Sequence, residues 1–110
     1  MTVGEMAGTL SLRVFTGETA LTSGIMSGYA GDLLSDVMSH CKERSAWMTI
    51  QTHQNIIAVA VLTGVSAVII CGGRVPEEDT LARAKKENIA VLGSDKSLYE
   101  TVGEVYNLLV

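Results

Sequence analysis

Two short polar stretches, on either side of a long apolar segment, hold the side chains best suited to binding or transforming a small molecule. The first is Gln51-Thr52-His53-Gln54-Asn55, five hydrogen-bonding side chains in a row. The amide and hydroxyl groups of Gln51, Thr52 and Asn55 suit recognition of a sugar, an amide or the edge of a base. His53 is able to exchange protons near neutral pH, although capping the apolar helix that follows is its more ordinary role. Both roles of His53 stay open.

The second stretch is Gly72-Gly73-Arg74, which follows a predicted buried strand. Two glycines allow backbone N–H groups to approach a ligand, and the forked guanidinium of Arg74 suits phosphate or carboxylate. Glu77, Glu78 and Asp79 lie at the start of the next predicted helix, where they would repel an anion. Two interpretations therefore remain, an anion site or a tight turn with a solvent-facing arginine. The spacing matches neither a Walker A loop nor a full GxGxxG motif.

Other reactive side chains have less informative spacing. The histidines and cysteines lack the intervals of a metal site, such as CxxC or HxxxH, so we expect no metal centre. Cys71 ends a predicted buried strand and is better explained as a small hydrophobic residue than as a nucleophile. Tyr29 and Asp32 flank a glycine-rich segment and are expected at the rim of a ligand site. Asp32 is also expected to cap the next helix.

The spacing of apolar residues predicts the elements that carry these side chains. Strands are expected at Leu10–Val14, Ile25–Tyr29, Trp47–Ile50, Ala67–Cys71 and Ile89–Leu92. Helices are expected at Thr2–Gly8, from Asp32 to Cys41, at Ile56–Leu62, from Pro76 to Asn88, and at Leu98–Leu109 with Ser97 or Asp95 as cap. Ile56–Leu62 would also fit a strand. A fully buried helix is preferred because Gly64 suits a helix end and because parallel strands need a crossover.

This alternation predicts a single α/β domain over residues 1–110, with a mainly parallel β-sheet of about five strands flanked by helices. Ligands of such sheets bind beyond the carboxyl ends of the strands. We therefore predict a ligand site in the loops after the second, third and fourth strands, formed by Tyr29, Asp32, Gln51, Thr52, His53, Asn55, Gly72, Gly73 and Arg74. The structure has to decide whether the two polar turns share one pocket.

Composition limits the partners. Hydrophobic residues make up 47% of the chain and charged residues only 18%, so we expect some surface to be covered in a homo-oligomer, most simply a dimer. The net charge of −4 and the lack of a broad basic stripe argue against nucleic acid. The N-terminal MTVGEMAGTL does not resemble a signal peptide, and no apolar run is long enough to span a membrane. A cytoplasmic protein with reduced thiols is expected.

Three segments in this order resemble the small stand-alone DRTGG-domain proteins: GYAGDLLSDVM (28–38), WMTIQTHQNIIAVAVL (47–62) and IICGGRVPEEDTLARAKKENIAVL (69–92). The namesake motif is incomplete. Gln51-Thr52-His53 stands where members that carry the motif have Asp-Arg, and Cys71-Gly72-Gly73 stands for TGG. The resemblance implies a domain similar to the N-terminal domain of HPr kinase/phosphorylase, of the kind found beside CBS domains in regulatory positions. It supplies no catalytic residues.

Together these observations predict a non-enzymatic regulatory or ligand-sensing module that binds a nucleotide or a phosphorylated small molecule. One alternative is a small enzyme acting on a phosphorylated metabolite, with His53 as acid/base and Arg74 as phosphate anchor. The other is a pure protein-interaction or oligomerisation module. The cofactor is unknown from the sequence.

Overall fold

Helices and strands alternate along almost the whole chain in the computed structural model, which describes residues 1–110. The strands are β1 (Arg13–Thr16), β2 (Ser27–Ala30), β3 (Ser45–Thr49), β4 (Ala67–Ile70) and β5 (Ala90–Gly93). The α-helices are α1 (Val3–Thr9), α2 (Leu34–His40), α3 (Asn55–Thr63), α4 (Glu78–Glu87) and α5 (Leu98–Leu109), and a single 3-10 turn spans Glu18–Ala20. No helix combines the length and the hydropathy needed to cross a membrane.

The five strands form one sheet in the order β1-β5-β4-β3-β2. Strands β2 to β5 are parallel, as expected, whereas β1 runs antiparallel to β5. The sheet is therefore mixed. A helical crossover is needed only between neighbouring parallel strands that follow one another in a βαβ unit. Strand β1 pairs only with β5, the last strand of the chain, and no βαβ unit joins the two. Strands β1 and β2 are the two edges.

Helices cover both faces of this sheet. On one face α1 and α5 pack against a core that includes Met6, Met48 and Ile69. On the other face α2, α3 and α4 surround Trp47 and Ile57. Every residue of β3, β4 and β5 is buried, and burial on both faces explains why β4 and β5 read as continuous apolar runs.

Helix α3 confirms the helical interpretation of the apolar segment. It ends at Gly64, whose φ of 73° is the left-handed conformation that favours glycine. The expectation of full burial is wrong, however. Val61 is 49% exposed and Leu62 is 71% exposed, because only one stripe of a helix lying on a sheet reaches the core.

Several local predictions need correction. Asp32 does not cap α2, which begins at Leu34 and has no side-chain cap. Strand β1 begins at Arg13 rather than Leu10 because a turn follows α1, and β2 begins at Ser27 rather than Ile25, whose N–H donates to the Met1 carbonyl at 2.8 Å. Ser97 does cap α5, with its side chain accepting from the Glu100 N–H at 3.1 Å.

Candidate ligand site at the carboxyl edge of the sheet

Asp32 joins the loops that follow β2 and β3. Its carboxylate accepts a hydrogen bond from the Thr49 hydroxyl at 2.7 Å and another from the Ile50 N–H at 2.9 Å. The side-chain amide of Gln51 donates to the Asp32 carbonyl at 3.1 Å. The structure therefore brings Asp32 and Gln51 together, as the ligand-site prediction requires, but it uses their polar groups to hold the two loops.

The rest of the first polar turn is tied to α4 and to itself. The Thr52 carbonyl accepts from the Thr80 hydroxyl at 2.7 Å and from the Glu77 N–H at 3.3 Å. His53 is exposed, and its Nδ1 accepts from the Asn55 N–H at 3.1 Å at the start of α3. This contact lies just before α3, whose N-cap residue Gln54 has no side-chain cap, so His53 does not cap the helix. No carboxylate bonds to His53, so the acid/base alternative lacks the group that would orient the ring.

The backbone N–H groups of Gly72 and Gly73 are already hydrogen-bonded within the protein. Gly72 and Gly73 adopt φ values of 79° and 69°, and their N–H groups donate to the Lys96 carbonyl at 2.7 Å and the Ser94 carbonyl at 2.9 Å. These two N–H groups are thus not available to an anion, contrary to the expected cradle, because the loop after β5 lies alongside. Arg74 is exposed and has no ion pair or hydrogen bond.

The two polar turns are neighbours but do not enclose a cavity. The Cys71 N–H donates to the Thr49 carbonyl at 2.9 Å, and the Glu77 contact with Thr52 joins the later parts of both turns. None of the five main cavities of the molecule is lined by either the Gln51–His53 segment or the Gly72–Arg74 turn. The carboxyl edge is an open, hydrogen-bonded surface.

Tyr29 lies outside that surface. Its hydroxyl donates to the carboxylate of Asp36 on α2, and this bond raises the pKa of Tyr29 above its usual value. Asp36 also lies 3.1 Å from Nδ1 of His40. Tyr29 therefore anchors α2 to the edge strand and is separated from the glycine turn by the loops that Asp32 joins.

A buried polar cluster lies below the open surface. Ser94 and Thr101 share a hydrogen bond of 2.8 Å, and the Thr101 hydroxyl also bonds to the Ser97 carbonyl at 2.8 Å. Cys71 packs beside this cluster, and burial raises the pKa of its thiol. A buried thiol with a raised pKa is a poor nucleophile, which agrees with the hydrophobic role assigned to Cys71. Both cysteines are unbridged.

Sequence reasoning missed an apolar groove between β2 and α5, with a volume of about 280 Å³. Met26, which is 69% exposed, and Tyr106, which is 66% exposed, lie along it. The missed signal is the outward face of the C-terminal helix, where Tyr99 and Tyr106 are both exposed.

Comparisons with known proteins give a fold and no more specific assignment. No family model and no curated protein sequence matches the chain. The structure is similar to that of the CBS and DRTGG domains of the regulatory region of Clostridium perfringens pyrophosphatase, solved in complex with its activator diadenosine tetraphosphate. The TM-score is 0.71 at 20% sequence identity, and the match covers 90% of this chain.

The chain spans 43% of the length of that structure. The likeness supports the DRTGG resemblance seen in the sequence, and the chain has a DRTGG-like fold. The expected similarity to HPr kinase/phosphorylase stays a prediction.

Proposed function

We propose that this protein is a non-enzymatic regulatory module that senses a nucleotide or another phosphorylated small molecule at the carboxyl edge of its sheet. The proposal rests on the difference between hydrogen-bonded and unpaired side chains at that edge. Asp32, Gln51 and Thr52 lock the loops together through hydrogen bonds, whereas Arg74 and the side chain of Asn55 are exposed and unpaired. Rigid loops with free donors suit binding, and no nucleophile–base pair accompanies them.

The open shape of the edge indicates a shared site. A small ligand in a closed pocket buries most of its surface, and this edge offers no such enclosure. A second surface, from another domain or another subunit, would complete it. The neighbouring fold supports the proposal, since it comes from the regulatory region of a pyrophosphatase and was solved with a dinucleotide activator.

A ligand panel tests the proposal. Thermal unfolding should be measured with nucleotides and phosphorylated metabolites, for the wild type and for Arg74→Ala. Binding raises the unfolding temperature by mass action, and Arg74→Ala should remove most of that rise. Arg83→Ala is the matched control, because Arg83 is exposed on α4 away from the turn. The site would be contradicted if no ligand raised the unfolding temperature of the wild type, or if a ligand raised that of Arg74→Ala equally.

A self-association role is favoured by the apolar groove. The two sheet edges differ: β1 carries Arg13 and a register shift between Val14 and Thr16, whereas β2 (Ser27–Ala30) has no charge, proline or bulge. Charges and bulges are the usual protection of an edge strand, so β2 is left open to pairing. The groove beside β2 has no charged side chain, which lets two copies of an acidic chain meet there without repulsion.

We therefore propose a homodimer formed through β2 and the groove, in which two copies continue the sheet across a twofold axis. A cytoplasmic location is part of the same proposal, since both cysteines are unbridged and Cys71 is fully buried.

A further inference from the structure

A polar cavity of about 300 Å³ lies at the opposite edge of the sheet from the predicted ligand site. It is formed where the chain enters the parallel strands, by the turns before β2, β3, β4 and β5. Its lining includes Gly24, Arg44, Gly64, Ser66 and Asn88, one or more from each turn. Nothing in the sequence patterns indicated a cavity here, because its parts are four separate turns.

Arg44 is the single charged residue that lines this cavity. It forms no ion pair and no side-chain hydrogen bond, although the chain as a whole is acidic with a net charge of −4. Acidic side chains are absent from the lining. Arg44 is an exposed residue, so water solvates its guanidinium and no protein carboxylate pairs with it. A guanidinium is well matched to a planar or tetrahedral oxyanion.

The position of Arg44 depends on two backbone features. Its own φ is 60°, a left-handed conformation that is uncommon for a residue other than glycine. Gly24 lies directly beneath the guanidinium, since a Cβ added to Gly24 would lie 2.8 Å from Nη2 of Arg44. The Gly24 carbonyl is held by the Ser66 hydroxyl at 2.6 Å, which fixes the wall on which the guanidinium rests.

Further donors belong to other residues that line the cavity. The Asn88 side-chain oxygen accepts from the Thr19 hydroxyl, which leaves the amide N–H groups of Asn88 unpaired. The backbone N–H groups of Gly24 and Val65, both in the lining, have no hydrogen-bond partner. Arginine, a side-chain amide and free backbone N–H groups make the lining rich in donors, and no lining residue is acidic, although Glu43 lies next to Gly64.

We infer that this cavity is a binding site for a phosphoryl group, with Arg44 as its principal ligand and Gly24 as the residue that permits the guanidinium to lie over the cavity. The site is separate from the carboxyl-edge surface and does not depend on Arg74. Its volume exceeds that of a single phosphate ion, so a phosphate ester of a small molecule fits as well as free phosphate. The shared chemistry is the phosphoryl oxyanion.

The test is a titration of isotope-labelled protein with sodium phosphate, followed by amide NMR at constant ionic strength. We expect saturable shifts at Gly24, Gly64 and Val65, and at least a tenfold weaker affinity in Arg44→Ala. Gly24→Ala keeps the charge but displaces the guanidinium, and it should weaken binding several-fold. Arg83→Ala, at an exposed arginine on α4, should bind phosphate as the wild type does.

Shifts that persist unchanged in Arg44→Ala, or that sodium chloride reproduces at the same ionic strength, would overturn the site. So would full binding in Gly24→Ala. A second arm uses adenosine monophosphate with the Arg74→Ala variant and follows only the Gly24, Gly64 and Val65 amides, so that binding at the carboxyl edge is not counted. An affinity at least tenfold above that for inorganic phosphate identifies a phosphate ester as the ligand, whereas equal affinities identify free phosphate, and either result supports the site.

Discussion

The carboxylate of Asp32 accepts a hydrogen bond of 2.7 Å from the hydroxyl of Thr49, and this contact joins the loop after β2 to the end of β3. Thr49 is fully buried, so its hydroxyl has no access to water. A second bond, from the Ile50 N–H, makes the same carboxylate the acceptor for the backbone just beyond the strand. Asp32, which was predicted to cap a helix, therefore connects the ends of β2 and β3 instead.

Removal of this tie should destabilise the fold. Asp32→Ala leaves the buried Thr49 hydroxyl without an acceptor, and we expect a loss of about 1–3 kcal/mol in the free energy of unfolding. Urea denaturation followed by circular dichroism measures it. Asp32→Asn keeps one acceptor oxygen and should lose less. Equal losses in both variants would show that the acceptor does not matter.

The left-handed conformation of Arg44 should carry a stability cost. Glycine adopts this conformation without a Cβ clash, so Arg44→Gly should be more stable than Arg44→Ala by about 1 kcal/mol. Both variants lack the guanidinium, and their difference therefore isolates the backbone contribution. Urea midpoints give the comparison. Identical stabilities would mean that the left-handed conformation is not strained.

Gly17 should tolerate no side chain. Its φ is 87°, and a Cβ there would lie 2.5 Å from Cα of Ala90 and 2.7 Å from its nitrogen, both backbone atoms at the start of β5. We expect Gly17→Ala to cost at least about 1–3 kcal/mol, as overpacking does. Gly103 lies within α5 with nothing near its Cβ position, and Gly103→Ala should instead stabilise by about 0.4–1 kcal/mol. Thermal unfolding of the pair gives opposite shifts, and shifts of the same sign would contradict the packing at β5.

Stability should fall at high pH through Cys71. Burial raises the pKa of its thiol above the ordinary 9.0, so the folded state retains a proton that the unfolded state releases. The resulting stabilisation is fully present below pH 9.0 and is lost as the pH rises through the folded-state pKa. Tyr29 and Lys96 also have raised pKa values, so the measurement is the difference between the wild type and Cys71→Ala from pH 7 to 11. If this difference in stability does not change with pH, the pKa of the Cys71 thiol is not raised in the folded state.

The proposed dimer should depend on the β2 edge. Light scattering should give a mass of about twice 11.7 kDa for the wild type and the monomer mass for Met26→Glu, because a carboxylate at the groove has no partner in a twofold interface. Val14→Glu is the matched control, since Val14 is an exposed residue of the opposite edge strand. It should leave the dimer intact. A monomeric wild type would contradict the proposal directly.

The class of fold can be predicted from the residues alone, because periodic apolar residues and turn residues act locally. The continuous apolar runs of β4 and β5, the left-handed Gly64 after α3 and the Ser97 cap of α5 each follow from neighbours within a few residues. The order of the elements from β2 onward followed from the same signals.

The tertiary structure alone decided which polar groups remain free. The N–H groups of Gly72 and Gly73 looked available, yet the loop after β5, more than twenty residues later in the chain, supplies their acceptors. The antiparallel edge strand and the cavity around Arg44 also arise from segments far apart in sequence. Local propensities cannot encode such contacts, because each one depends on where the packed sheet brings two distant loops together.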